Sequence, residues 1–171
     1  MQDFVHLHVH TQYSLLDGQA SVARLVDKAM KNGMKGIAVT DHGNMFGIKE
    51  FTNYVNKKNS GPKGEVKDLK KRIAGIEAGT IECEDKEAEI AACKAKIVEA
   101  ENKLFKPIIG CEMYVARRTM DLKEGKPDQS GYHLIVLAKN ETGYHNLIKL
   151  VSHAWTRGYY MRPRTDRSEL E

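Results

Sequence analysis

Histidines at alternate positions near the start of the chain are the residues best suited to chemistry. From residue 4 the sequence reads Phe-Val-His-Leu-His-Val-His, and Asp17 follows in a segment closed by Gly18. Strict alternation is typical of a β-strand, whose successive side chains point to opposite faces. Imidazole and carboxylate groups suit zinc, iron or manganese, without choosing among them. We therefore expect a metal site here rather than packed or solvated histidines, with the candidates His6, His8, His10 and Asp17.

A second histidine follows the next predicted strand. Ser21 is a suitable cap for a helix that ends at Asn32-Gly33, and Gly36–Val39 then reads as a short buried strand. Asp41 and His42 follow this strand directly. A further helix is predicted from Met45 to Lys58, with Phe46, Phe51 and Val55 facing inward.

The order strand, helix, strand, helix predicts an α/β fold with a parallel sheet or a βα barrel. Active-site groups of such folds gather at the carboxyl ends of the strands. His10 ends the first predicted strand and His42 follows the second, so both are expected on one face. A plain turn role for His42 is the alternative. Asp41 could be a ligand or could orient an imidazole.

Residues 59–105 have a different character. Asn59-Ser60-Gly61-Pro62 is expected to break the preceding helix, and apolar residues then recur with heptad spacing in two stretches separated near Gly79. Ten basic and ten acidic residues balance from Lys63 to Lys106. We predict an inserted antiparallel helical hairpin, which serves either as a structural arm or as a protein-contact surface.

Two more strands are predicted after this segment. Ile108 and Ile109 form a buried run, and Glu112 follows at an expected strand end or bend, either bridging two cations or solvated. His133 begins a fourth strand, a position that the barrel rule alone does not select. A helix is predicted from Glu141 to Trp155. The tail, rich in arginine and tyrosine, could contact phosphate or bases, or it could be a connecting loop.

Composition limits the classes of protein that fit. The chain has 171 residues, 41% of them hydrophobic, and a net charge of +4, which does not by itself indicate nucleic-acid binding. It contains no apolar run of membrane-spanning length. Cys83, Cys93 and Cys111 are scattered and odd in number, which favours a reducing, cytoplasmic location over a disulfide framework.

The segments around the candidate ligands resemble the PHP (polymerase and histidinol phosphatase) family. The resemblance rests on His6–Gly18 together with Thr40-Asp-His-Gly-Asn. More narrowly, the chain is similar to the N-terminal PHP domain of bacterial replicative polymerases of the DNA polymerase III alpha type. That similarity rests on four further stretches, which are Lys106–Val115, His133–Asn140, Thr142–Leu147 and Arg157–Arg167.

The resemblance implies a distorted seven-stranded βα barrel that holds up to three divalent metal ions. It identifies residues 1–171 as the N-terminal part of a PHP domain, with 59–105 as an insertion. Glu112 would be the carboxylate shared between ions, and His6 is more doubtful because the family often has an acidic residue there. The family's ligand positions fall here on His8, His10, Asp17, His42, Glu112 and His133.

The implied chemistry is metal-dependent phosphodiester hydrolysis, including 3′–5′ exonuclease proofreading, within a polymerase that acts on DNA with other replicase subunits. The alternatives are a free-standing phosphatase for a small phosphomonoester and a non-catalytic scaffold of the polymerase. About four of the family's seven strands are present, so we expect an incomplete metal site. For that reason, we also expect these residues alone to be inactive.

Overall fold

The computed structural model describes residues 4–129 and 131–171. It is a mixed α/β structure with two compact units, one formed by the described residues up to Asn53 with Pro107–Glu171, the other by Tyr54–Lys106. The strands are β1 Gly36–Val39, β2 Lys106–Ala116, β3 Gly131–Leu137 and β4 Arg164–Thr165. The helices are α1 Val22–Lys31, α2 Ile48–Lys58, α3 Ser60–Glu77, α4 Lys86–Asn102, α5 Lys126–Gln129, α6 Glu141–Thr156 and α7 Arg167–Leu170.

Strand β2 is the centre of the sheet. It pairs with β1, antiparallel with β3 and parallel with β4. His42 forms an isolated parallel bridge to Glu112, so one edge of β2 receives β1, His42 and β4, while β3 occupies the other edge. The α/β class with parallel strand pairing is confirmed. The antiparallel β3 departs from an all-parallel sheet. In the described residues between β2 and β3 the one helix is the four-residue α5, and not the longer helix that usually forms a parallel crossover.

The prediction of a strand across residues 4–10 is wrong, since this segment is irregular. His6 and Val9 accept hydrogen bonds of 2.9 Å from the N–H groups of Ala38 and Thr40. The step from His6 to Val9 is three residues, whereas the step from Ala38 to Thr40 is two, so the N-terminal segment has one extra residue, as in a β-bulge. The extra residue breaks the alternation that would have placed His6 on the same face as His8 and His10.

One hydrophobic cluster of the first unit lies between β2 and α6. Cys111 and Met113 pack there with Leu147, Val151 and Ala154. Ser21 caps α1 as predicted. Helices α1 and α6 both occur where they were predicted, and their ends differ from the prediction by no more than a residue or two.

Helix α2 differs from its prediction at its start. It begins at Ile48 rather than at Met45, and Phe46 lies outside it with 65% of its surface exposed. Phe51 and Val55 are buried, as predicted. The apolar face of the helix therefore starts one turn later than the sequence pattern suggests.

The second unit consists mainly of α3 and α4, which contact each other along their length. The break expected at 59–62 is confined to Asn59, because Pro62 occupies the first turn of α3, where no backbone N–H is required. Asn59 exchanges two hydrogen bonds with the backbone of Phe105, of 2.8 and 2.9 Å. Ile76 belongs to the first of the two stretches with heptad spacing, and Cys93 and Ala100 belong to the second; all three are buried.

Buried polar contacts hold the segment before β3 and the tail in the first unit. Arg164 is fully buried and donates to the carbonyl oxygens of Gly158, Asp128, Met120 and Leu122 at 2.8–3.1 Å. This arginine is therefore a structural residue and does not contact phosphate or bases. None of the helices in the described ranges combines the length and the apolar character needed to cross a membrane.

Candidate metal centre

Two histidines of the N-terminal segment meet one carboxylate of β2. The Nε2 atoms of His8 and His10 lie 2.7 and 2.6 Å from Oε2 of Glu112, and 3.2 Å from each other. Glu112 is separated from them by about a hundred residues in sequence. Glu112 lies in the middle of the long strand β2. The sequence had suggested that it would lie at a strand end or bend.

Asp17 and His42 extend the cluster on one side. Oδ2 of Asp17 lies 2.9 Å from Nε2 of His42 and 3.3 Å from Nδ1 of His10. Nδ1 of His42 lies 3.5 Å from Oε2 of Glu112. The parallel bridge between His42 and Glu112 explains this proximity, because it aligns the end of β1 with the middle of β2.

His133 closes the cluster on the other side. Its Nδ1 contacts Oε1 of Glu112, the second oxygen of that carboxylate. The antiparallel register of β3 places His133 opposite Tyr114, two residues beyond Glu112 on β2. The start of β3 therefore reaches the same face as the end of β1, which the barrel rule did not anticipate for a strand's first residues.

The six side chains form three overlapping groups that could each hold a metal ion. Each group has three ligand atoms within 4.8 Å of one another, and Glu112, His10 and His42 each belong to two groups. The groups are His8–His10–Glu112, His10–Asp17–His42 and His42–Glu112–His133.

The cluster fits divalent cations in two respects. Nδ1 of His42 is buried and has no hydrogen-bond partner in the described part of the chain, a state that is costly for a polar atom. The Nε2 atoms of His8 and His10 face each other and one carboxylate oxygen. Ligands about 2.1 Å from a common ion are about 3–3.5 Å apart. The 3.2 Å between the two nitrogens falls in this range, while the carboxylate oxygen lies closer to each of them, at hydrogen-bond distance.

Both carboxylates are suited to the ionised form that a metal requires. Burial by itself would raise the pKa of Glu112, whose side chain is only 3% exposed, but hydrogen bonds from His8, His10 and His133 and the nearby His42 hold the pKa below its usual value. The hydrogen bond from His42 lowers the pKa of Asp17, with a smaller contribution from His10. The two groups are therefore anionic at neutral pH.

Asp41 belongs to none of the three groups. Its carboxylate is buried and accepts hydrogen bonds from the backbone and hydroxyl of Thr11 at 2.7 and 2.8 Å and from the hydroxyl of Ser14 at 2.7 Å. Ser14 Oγ also accepts the backbone N–H of His42 at 3.2 Å. Asp41 thus holds the backbone of the 11–18 turn and of His42, and it does not contact an imidazole.

His6 lies away from the cluster. Its ring packs edge-on against Phe4, with 4.7 Å between centroids, and lines a separate cavity of about 210 Å³ beside Leu25 and Ala29. The family resemblance had already made His6 a doubtful ligand, and its position away from the cluster is consistent with that.

Several residues near the cluster were not found from the sequence. The ring of Tyr114 stacks on His42 and meets the edge of His133, with centroids 5.8 and 4.9 Å apart. Tyr114 lies two residues after Glu112, and such residues share one face of a strand, so the sequence could have placed Tyr114 beside the cluster. Trp155 and Arg162 line a cavity together with His42 and His133. The arginine-rich tail that contains Arg162 was noted from the sequence, but its position beside the cluster was not.

Comparison with known proteins identifies the family of the chain. A family model described as PHP domain matches residues 6–97 and 87–171. The chain is 41% identical over 171 residues to the DNA polymerase III subunit alpha of Borreliella burgdorferi, an alignment that covers 98% of this chain and 11% of that protein. Identity to the corresponding proteins of Treponema pallidum and Thermus aquaticus is 40% over 164 residues and 37% over 172 residues.

The alignments with these two proteins cover 95% and 98% of this chain. The chain spans about a tenth of the length of these curated relatives. The family match covers nearly all of the chain, including all six clustered side chains. The chain belongs to the PHP domain family.

Proposed function

We propose that the cluster binds divalent metal ions and that the domain hydrolyses phosphodiester bonds. The observation that carries this proposal is the sharing of Glu112, which faces His8 and His10 with one oxygen and His133 with the other. A shared carboxylate beside several imidazoles is the arrangement that clustered cations need. The same donor set suits zinc, manganese or iron.

Each residue has a defined role in this proposal. His8, His10 and Asp17 would hold one part of the ion cluster, His42 and His133 would hold the rest, and Glu112 would be shared between the two parts. Bound divalent ions supply positive charge that activates water and stabilises the phosphoryl oxygens. The buried carboxylate of Asp41 keeps the 11–18 turn and His42 in place, so that the ligands do not have to reorganise on binding.

We further propose that the chain forms part of a bacterial replicative polymerase that acts on DNA in the cytoplasm with other replicase subunits. The names of the relatives support this assignment. In that protein, further strands would complete a seven-stranded barrel, and hydrolysis would act on the 3′ end. We propose that residues 59–105 are a helical hairpin inserted into this domain, which the Asn59–Phe105 hydrogen bonds support.

Metal binding is the first test of the proposed function. Equilibrium dialysis against Mn²⁺ or Zn²⁺ followed by elemental analysis should give at least one bound ion per chain. Glu112→Gln should lower this stoichiometry, whereas Glu65→Gln, at an exposed position of α3, should not change it. Equal metal content in Glu112→Gln and the parent chain, both folded, would contradict the assignment.

Hydrolysis is tested in the whole polymerase that carries this chain, because we expect the 171 residues alone to be inactive. Glu112→Gln should abolish metal-dependent release of nucleotides from a 3′-labelled DNA while synthesis continues. Preferential hydrolysis of small phosphomonoesters would instead indicate the free-standing phosphatase. Metal binding without any hydrolysis would indicate a scaffold.

A further inference from the structure

A cavity of about 550 Å³ opens beside the candidate metal centre. One wall carries three of the clustered side chains, Asp17, His42 and His133. The other wall is aromatic and includes Phe46, Trp155 and Tyr159. None of these aromatic residues takes part in the proposed metal chemistry, although they face the same space.

We name Phe46, Trp155 and Tyr159 the aromatic shelf. The rings of Trp155 and Tyr159 are stacked, with centroids 5.6 Å apart and planes inclined by 22°, and Phe46 lies 6.3 Å from Trp155. All three are exposed large side chains. The indole N–H of Trp155 donates to the carbonyl of Gly43 at 2.8 Å, which fixes the ring next to the His42 turn.

Arg162 supplies a positive charge between the aromatic shelf and the metal ligands. Its guanidinium carbon lies 4.8 Å from the ring centroid of Tyr114, which in turn stacks on His42. Met161, just before it, has a φ of 62°. Within residues 4–129 and 131–171 it is the only non-glycine residue with a positive φ. No carboxylate of those ranges forms an ion pair with Arg162, so its charge remains available to a ligand.

These features favour a nucleotide over an apolar protein segment. Exposed aromatic rings stack on any base, and arginine binds phosphate through two parallel hydrogen bonds. An apolar segment would cover the charged groups of Arg162 and Asp17 without giving them partners, which is costly. The distribution of apolar, cationic and metal-binding groups instead matches a base, its phosphate and the adjacent phosphodiester.

We propose that this cavity binds the terminal nucleotide of single-stranded DNA, with the base on the aromatic shelf and the phosphate at Arg162. Its role in hydrolysis rests on the proposed function, because the bound phosphate would lie beside the ligand cluster. The binding itself does not require metal. Arg162 is a binding residue in this proposal and holds no ion.

Trp155 is the only tryptophan of the chain, so its fluorescence reports directly on the aromatic shelf. Titrating the metal-free 171-residue chain with an eight-residue oligothymidylate should quench this fluorescence in a saturable manner. An oligonucleotide of the same length whose terminal residue is abasic should bind about tenfold more weakly, because it retains phosphates but lacks the stacking base.

Variants separate the two contacts. Arg162→Gln and Phe46→Ala should each weaken binding about tenfold, while Arg167→Gln, which alters an exposed arginine paired with Glu171, should not. Arg162→Lys should have an intermediate effect, since it keeps the charge but not the planar group. Thermal melting of each variant checks that it folds.

Three results would overturn the proposal. They are equal affinity for the intact and abasic oligonucleotides, unchanged binding by Arg162→Gln, and saturable binding of an apolar dye with no response to oligonucleotide. The last result would identify a protein-docking surface. Metal content of Arg162→Gln should be normal, and Glu112→Gln should still bind the oligonucleotide, so failure here is distinguishable from failure of the metal centre.

Discussion

The hydroxyl of Ser14 donates a 2.7 Å hydrogen bond to the buried carboxylate of Asp41. This bond joins the end of β1 to the turn that carries Asp17. The same hydroxyl accepts the backbone N–H of His42, so one polar contact positions two of the candidate ligands. The geometry of the cluster therefore depends on residues that do not face it.

Replacing Asp41 should weaken metal binding without removing a ligand. Asp41→Asn loses the charge that accepts hydrogen bonds from Thr11 and Ser14, which should lower metal affinity about 10- to 100-fold. Isothermal titration with Mn²⁺ measures this change. Asp85→Asn, which alters an exposed helix cap on α4, is the matched control and should leave the affinity unchanged. Equal affinities for both variants would contradict the positioning role of Asp41.

Gly43 should tolerate no side chain. Its φ of 59° is left-handed, and an added Cβ would lie 2.7 Å from Pro163 Cγ and 3.2 Å from the ring of Tyr114. Gly43→Ala should therefore lower the free energy of unfolding by about 2–5 kcal/mol, from backbone strain and overpacking together.

Gly125→Ala separates these two contributions. Gly125 has a similar φ of 71° but no atom within 4 Å of an added Cβ, so only the strain of about 1–2 kcal/mol applies. Urea unfolding of both variants gives the comparison. Equal losses would show that the space beside Pro163 and Tyr114 can relax.

Arg164 should be essential for stability and not for ligand binding. Arg164→Met would leave buried carbonyl oxygens of Gly158 and Met120 without a donor, at a cost of about 3 kcal/mol or more in the free energy of unfolding. Thermal or urea unfolding measures it. Arg167→Met, at an exposed position, should cost little. A small effect at Arg164 would mean that water replaces the guanidinium.

Stability should decrease in acid through Asp128. The hydrogen bond from Arg118 holds the pKa of this carboxyl below its usual value, and the backbone N–H of Glu124 adds to the effect. A lowered pKa contributes stability that is complete above the unfolded-state value of about 3.9 and is lost as pH falls through the lower folded-state value.

Melting temperatures between pH 7 and pH 2 test this contribution. Asp128→Asn should melt at a lower temperature than the parent chain at pH 7, and the difference should shrink in acid as the parent loses the ion pair. Asp68→Asn, on the exposed face of α3, should follow the parent curve. A constant difference at all pH values would exclude the ionised carboxylate as the cause.

Local patterns in the sequence predicted the elements whose signals are local. The cap at Ser21, the buried run of β1 and the apolar face of α6 are each encoded by neighbouring residues, and the structure contains all three. The types of the clustered side chains also indicated metal chemistry. The cap, the strand and the helix could be predicted because backbone preference and amphipathic spacing are properties of a short segment.

Only the tertiary structure decided how distant segments align. The unequal spacing of the hydrogen bonds between residues 6–9 and β1 separates His6 from His8 and His10, and the parallel bridge to His42 brings Glu112 from the middle of β2 into the cluster. The same long-range packing buries Arg164 and leaves Arg162 beside the aromatic shelf. Strand register and burial depend on contacts across the whole chain, so no segment by itself encodes them.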